Sequence, residues 1–232
     1  MSKATLSLMV VLMLAFAGSA IADIDHSLHF MGVPAPTQDW GGYYVGPYNV
    51  QDETTPTADR LNGGVVMSTY CDDFTREMVT YWTADDYLLG YSDVASYKFS
   101  HIFSTNPTAA TAYLAAAYLV AEAETPSVNR IPYQVAVWLL FDPGLQTQVN
   151  NDLTYGATIN ADLADALTWA GTHTVLNLGQ TVHILTPEPP DASQELIWFG
   201  PSLETNVPEP ATFFLVGLVL VGCGRALARR RV

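Results

Sequence analysis

The end of the chain sets the first limit on what it can fold into. Ala211 to Gly224 is apolar or small apart from Thr212, with Pro208 and Pro210 before it and Arg225, Arg229, Arg230 and Arg231 after it. As a helix rising about 1.5 Å per residue, this run reaches about 21 Å, against roughly 30 Å of bilayer hydrocarbon. Extended to Leu227, a transmembrane helix over 211–227 only just qualifies by residue count. It is a marginal anchor, and its basic end belongs on the cytoplasmic side. The prolines stop the helix from continuing upstream, so the chain just outside the membrane is extended and accessible.

The charges divide the chain in the same way. Of 232 residues, 9 are Lys or Arg and 23 are Asp or Glu, for a net charge of −14. Five of the basic residues (Lys3, Arg225, Arg229, Arg230, Arg231) lie at the ends. Between Asp23 and Pro208, twenty-two acidic residues face four basic ones, Arg60, Arg76, Lys98 and Arg130. So acidic a body repels phosphate backbones, which excludes nucleic acid as a partner. At the other end, Lys3, the apolar stretch Leu6 to Ala17, and the small residues Ala20 and Ala22 have the form of a signal peptide over 1–22, cleaved after Ala22 by signal peptidase. The organisation expected is signal peptide 1–22, linker 23–39, ectodomain 40–200, and membrane-proximal tail 201–232.

Val207-Pro208-Glu209-Pro210, the apolar helix and the terminal arginines, in that order, resemble the PEP-CTERM sorting signal of Gram-negative bacteria. The resemblance implies handling by exosortase, a membrane cysteine protease or transpeptidase. It also implies a precursor held transiently in the inner membrane, then a product at the cell surface or outside the cell, in species that make exopolysaccharide. Pro187-Glu188-Pro189 serves as an internal control. No apolar helix follows it, and it reads as a loop between strands.

The ectodomain reads as α+β, with strands at both ends and two or three central helices. Trp40 to Tyr48 is aromatic and punctuated by glycine, as in a short strand or hairpin. Gln51 to Asn62 is polar, Asn62-Gly63 is a turn signal, and Gly64 to Cys71 is a strand. Asp72 to Asp86 is acidic and mixed. Asn106-Pro107 opens a helix continuing through Ala109–Glu124. A second helix, begun at Asn129 to Pro132 and ended by Asp142-Pro143-Gly144, is apolar nearly all round and so buried. Asn160 caps a third that ends at Ala170. Gln180 to Leu185 and Glu195 to Phe199 are strands.

One residue breaks the apolar character of the second helix. A buried Gln134 must find partners or cost a few kcal/mol, on the order of 2. It can do so by bonding nearby backbone. Alternatively it can react: a lone cysteine such as Cys71 attacks the carboxamide, ammonia leaves, and an internal thioester remains, provided apolar walls such as Phe74 and Trp138 keep water out. The chain has two cysteines, and Cys223 lies in the tail, so Cys71 has no disulfide partner in the body.

Tyr70-Cys71 and Gln134-Val135-Ala136-Val137-Trp138 resemble the two signature segments of bacterial thioester domains, and Tyr113 to Leu119 resembles their connecting helix. The resemblance spans about Tyr44 to Pro143 and departs at Tyr133, where that family has Ser or Thr. It implies a covalent adhesin, with Cys71 as the nucleophile and Gln134 as the acyl donor toward an amine-bearing surface partner. The alternative is a structural or exopolysaccharide-associated protein that makes no covalent bond.

Other chemistry finds little support. Asp72-Asp73 and Asp85-Asp86 lack the spaced ligands and glycine of a calcium loop and read as solvated surface. His26, His29, His101, His173 and His183 are scattered. No Gly-x-Ser-x-Gly elbow, P-loop or dinucleotide fingerprint is present. Neither enzyme activity, a cofactor nor a metal site is expected. Trp40 to Tyr48 could stack on sugar faces, but core packing also explains it.

Overall fold

Two adjacent glycines make the first sharp turn of the domain. Gly41 (φ 62°) and Gly42 (φ 89°) adopt left-handed backbone, as a two-residue hairpin loop of the primed type requires. They join β2 (Gln38–Trp40) to β3 (Tyr43–Val45), with Trp40 opposite Tyr43. The computed structural model describes residues 25–74, 76–90, 94–103 and 107–200. The expected signal peptide (Ala20, Ala22), the sorting motif, the 211–227 helix and its arginines lie outside the described residues. Among the described residues, no helix is long and apolar enough to cross a membrane.

The hairpin stands apart from a closed six-stranded barrel. Its strands are β1 (Asp25–Gly32), β4 (Tyr48–Asp52), β5 (Met67–Cys71), β6 (Tyr81–Leu88), β7 (Thr181–Glu188) and β8 (Leu196–Gly200). Around the barrel the order is β1, β4, β5, β8, β7, β6, with β6 returning to β1 and every pair antiparallel. Closure leaves no open sheet edge. In β4, Tyr48, Val50 and Asp52 are buried while Asn49 and Gln51 are only partly so, the alternation of a strand with one face inward.

Helices α1 (Ala109–Ala123), α2 (Ile131–Phe141) and α4 (Gly156–Ala170) pack together, with the six-residue α3 (Gln146–Asn151) beside α4. The mixed α+β architecture is as expected, with four helices described rather than two or three. Thr108 caps α1 by accepting from the Thr111 N–H at 3.2 Å, so Pro107 precedes the cap instead of opening the helix. Every residue of α2 except Tyr133 is buried, as its all-round apolar character requires.

Several sequence expectations are corrected. The linker assigned to 23–39 contains β1. Its inward positions include His26, which pairs with Asp52 at 2.7 Å in place of an apolar contact, so the segment looks polar. The polar stretch from Gln51 overlaps the end of β4, and the mixed stretch ending at Asp86 contains most of β6. Finally, α4 begins at Gly156 and not at a capping Asn160. A Cβ at 156 would stand 2.1 Å from the Val149 carbonyl oxygen. The Asn160 amide instead donates back to Gly156 O at 2.9 Å. The upstream Pro-Glu-Pro lies at the β7 exit, Pro187 still pairing with Ala84, so only part of it is loop.

Candidate functional site

Cys71 ends β5, opposite Leu196 of β8, and is fully buried. Helix α2 lies against β5. Gln134 and Trp138, one helical turn apart, fall on the same face and both reach Cys71. The Gln134 Nε2 donates to the Cys71 carbonyl at 2.6 Å, and the Trp138 indole N–H donates to Sγ at 3.1 Å. The thiol in turn donates to the Asp73 carbonyl at 3.3 Å. The structure thus brings together the two residues expected to react.

Gln134 is 1% exposed, and its Oε1 has no hydrogen-bond partner. A buried carbonyl oxygen in that state costs about 1–3 kcal/mol. Gly46 allows the close approach. A Cβ there would meet the Tyr70 ring at 2.9 Å and Gln134 Oε1 at 3.1 Å. Burial pushes the Cys71 thiol far up, with further upward pressure from Asp72 and Asp73, against which the Trp138 N–H and the Asp73 backbone pull down. The Tyr48 hydroxyl, also raised by burial and by Cys71, donates to the Tyr44 carbonyl at 2.6 Å.

A cavity of about 580 Å³ opens beside Trp138, walled by Phe30, Tyr43, Tyr44 and Phe74 and edged by Glu77 and Asp142. Tyr43 packs on Phe74 with ring centroids 4.5 Å apart, and Phe74 on Trp138 at 5.1 Å. This row of rings runs from the exposed hairpin to the buried sulfur. Of the aromatic segment read from sequence, Tyr43 and Tyr44 are 49% and 58% exposed, whereas Trp40 and Tyr48 are core. Trp40 also donates to Asp152 at 2.6 Å.

Asp72 and Asp73 are not the solvated pair read from sequence. Both are buried, in a cluster with Glu195 and Lys98. The Lys98 Nζ bonds Asp73 Oδ2 at 2.6 Å and the Ser193 carbonyl at 2.9 Å. Glu195 accepts from the Tyr113 hydroxyl at 2.5 Å, the Thr186 hydroxyl at 2.5 Å and the Lys98 N–H at 2.9 Å. Burial first, then Glu195 and Asp73, hold the Asp72 carboxyl well above the usual carboxylate range, against a smaller downward pull from Lys98. Asp86 is bound by His183 at 2.8 Å. Among the described residues, no group of three or more His, Cys, Asp or Glu side chains is placed to hold a metal ion. Sequence reasoning missed Lys98 and Glu195, whose partners are distant in the chain. The spacing of Gln134 and Trp138 was the readable signal for the indole.

Comparison with known proteins places one feature outside the barrel domain. Residues 206–231 match the PEP-CTERM protein-sorting motif. No curated protein and no solved structure matches the chain. The motif implies exosortase as the processing partner and export to the cell surface or extracellular space. It covers Val207 to Pro210 and the basic residues through Arg231.

Proposed function

We propose that this is an exported surface or matrix protein whose ectodomain forms an internal Cys71–Gln134 thioester and uses it once, to capture an amine-bearing partner. The observation that carries this reading is the meeting of Cys71 and Gln134, 63 residues apart, with the amide nitrogen 2.6 Å from the Cys71 carbonyl. In the reaction Sγ bonds to the side-chain carbonyl carbon of Gln134 and the C–N bond breaks. The thiol proton leaves with the nitrogen as ammonia. The product carries no charge, so the burial that disfavours a thiolate does not disfavour the thioester. Apolar walls protect it from water. A partner amine then forms an amide with the Gln134 carbon, and the C–S bond breaks.

Intact mass of the purified secreted protein tests this. The chain is expected to be lighter by one ammonia, about 17 Da, with Cys71→Ala and Gln134→Ala each removing the deficit. Full mass in the wild type, unchanged by methylamine, overturns the reading. Sorting has a separate test. Glu209→Ala is expected to leave the precursor uncleaved at its C-terminus on immunoblots, and normal processing of that variant would show the motif to be idle.

The exposed Tyr43 and Tyr44 at the cavity mouth favour a second, non-covalent reading, in which the cleft stacks on an exopolysaccharide. Retention on a polysaccharide column that is lost with Tyr44→Ala, in a protein of full mass, would select it.

A further inference from the structure

Sulfur buried in an apolar pocket is a poor leaving group, because the thiolate it becomes is poorly solvated there. Yet the thioester reading requires the C–S bond to break when a nucleophile arrives. Two carboxyl groups, Asp72 and Asp73, press on Cys71 in the unfavourable direction. Neighbouring elements supply the other polar groups around it: Gln134 and Trp138 from α2, Tyr48 from β4, and the Asp73 carbonyl beyond β5. Lys98 is engaged by Asp73 and Ser193.

We infer that the Trp138 indole N–H is the group that receives the developing negative charge on Cys71 Sγ as the acyl group departs. The proposal rests on the thioester reading and extends it to a residue acting on the reacting sulfur. Nε1 lies 3.1 Å from Sγ, within reach of a hydrogen bond to sulfur, and the indole is 2% exposed. The donor is therefore fixed before reaction and shielded from water, the condition in which a preorganised hydrogen bond acts most strongly on charge formed in a transition state. Packing against Phe74 alone would be met by a phenyl ring; the bond to sulfur needs the N–H. Position 138 also lines the cavity, so the indole lies between the incoming nucleophile's space and the sulfur. As the amine nitrogen bonds to the Gln134 carbonyl carbon, the C–S electron pair stays on sulfur. The proton released by the amine ends there, restoring the thiol.

The test removes the donor and keeps the shape. In the full secreted protein, Trp138 is replaced through codon reassignment by its isostere with a ring sulfur in place of N–H. With the mass deficit still present, methylamine uptake is expected to slow about tenfold, the effect of losing one hydrogen bond to a charged group. Unchanged or faster uptake overturns the inference. A second arm uses Gln134→Ala, in which no thioester can form, and follows alkylation of Cys71 by iodoacetamide. The isostere is expected to slow it about threefold, since thiolate loss is partly offset by higher nucleophilicity. Absence of the deficit in the wild type rejects the thioester reading. The alkylation arm then decides alone whether Trp138 acts on the sulfur, and equal rates there reject that action.

Discussion

Replacing Lys98 by Met is expected to destabilise the ectodomain by about 3–5 kcal/mol, the usual cost of removing one member of a buried ion pair. The Lys98 and Asp73 side chains are 8% and 0% exposed and 2.6 Å apart. Solvent therefore screens the pair little. Without Lys98, the buried Asp73 carboxyl loses the ammonium that pairs with it. Against a typical total of about 5–15 kcal/mol, the loss is severe. At about 2–4 °C per kcal/mol for a domain of this size, the melting temperature should fall by about 6–20 °C. Asp73→Asn in the same chain should recover part of the loss, because the carboxyl that Lys98 paired with is then replaced by a neutral amide. A melting temperature within 2 °C or so of wild type would mean that the pair is solvated in solution. The variant also bears on the site. The Asp73 backbone carbonyl accepts from the Cys71 thiol, and the Gln194 Nε2 donates to the same oxygen at 3.1 Å. Loosening this turn should make Cys71 more accessible to thiol reagents.

The sequence made α2 and its reactive face legible because helical spacing is local. Gln134 and Trp138 share a face in any helix, and an amide in so apolar a run has to be explained by what it touches. The partner was legible only as a lone cysteine. The contact between them depends on β5 lying beneath α2. The barrel was hidden for a different reason. Its closing pairs, β1 with β6 and β5 with β8, join segments far apart in the chain, and no local pattern records them. Two of its strands also carry misleading residues. β1 turns His26 inward to meet Asp52, and β6 turns Trp82 and Ala84 inward among Thr83, Asp85 and Asp86. Reading buried charge as surface follows from the same gap: Lys98, which pairs with Asp73, and Glu195, which acts on Asp72, both lie far from them in sequence.

The same cluster sets a pH dependence whose sign can be worked out. The Asp72 carboxyl is raised in the folded protein, first by burial and then by Glu195 and Asp73. Neither of its oxygens has a hydrogen-bond partner, so the folded chain favours the protonated acid. The unfolded chain releases that proton near the ordinary value of about 3.9. The stabilising contribution is therefore complete below about pH 4 and is lost as pH rises through the folded value, at up to about 1.4 kcal/mol per pH unit. Asp52 acts in the opposite direction: burial pushes it up, but hydrogen bonds from His26, Thr54 and Leu61 outweigh that and hold it low. Its contribution is present above the ordinary value and lost in acid. The total curve mixes the two, and a difference curve separates them. Asp72→Asn presents a neutral amide whose N–H can face Glu195 as the protonated acid does. The variant should match wild type near pH 4 and exceed it in stability by neutral pH, the gap widening steadily between. Urea unfolding of both proteins at pH 4.5, 6 and 7.5 measures this. A constant gap across the three would mean that Asp72 does not take up a proton on folding, and that a bound cation or water satisfies it instead.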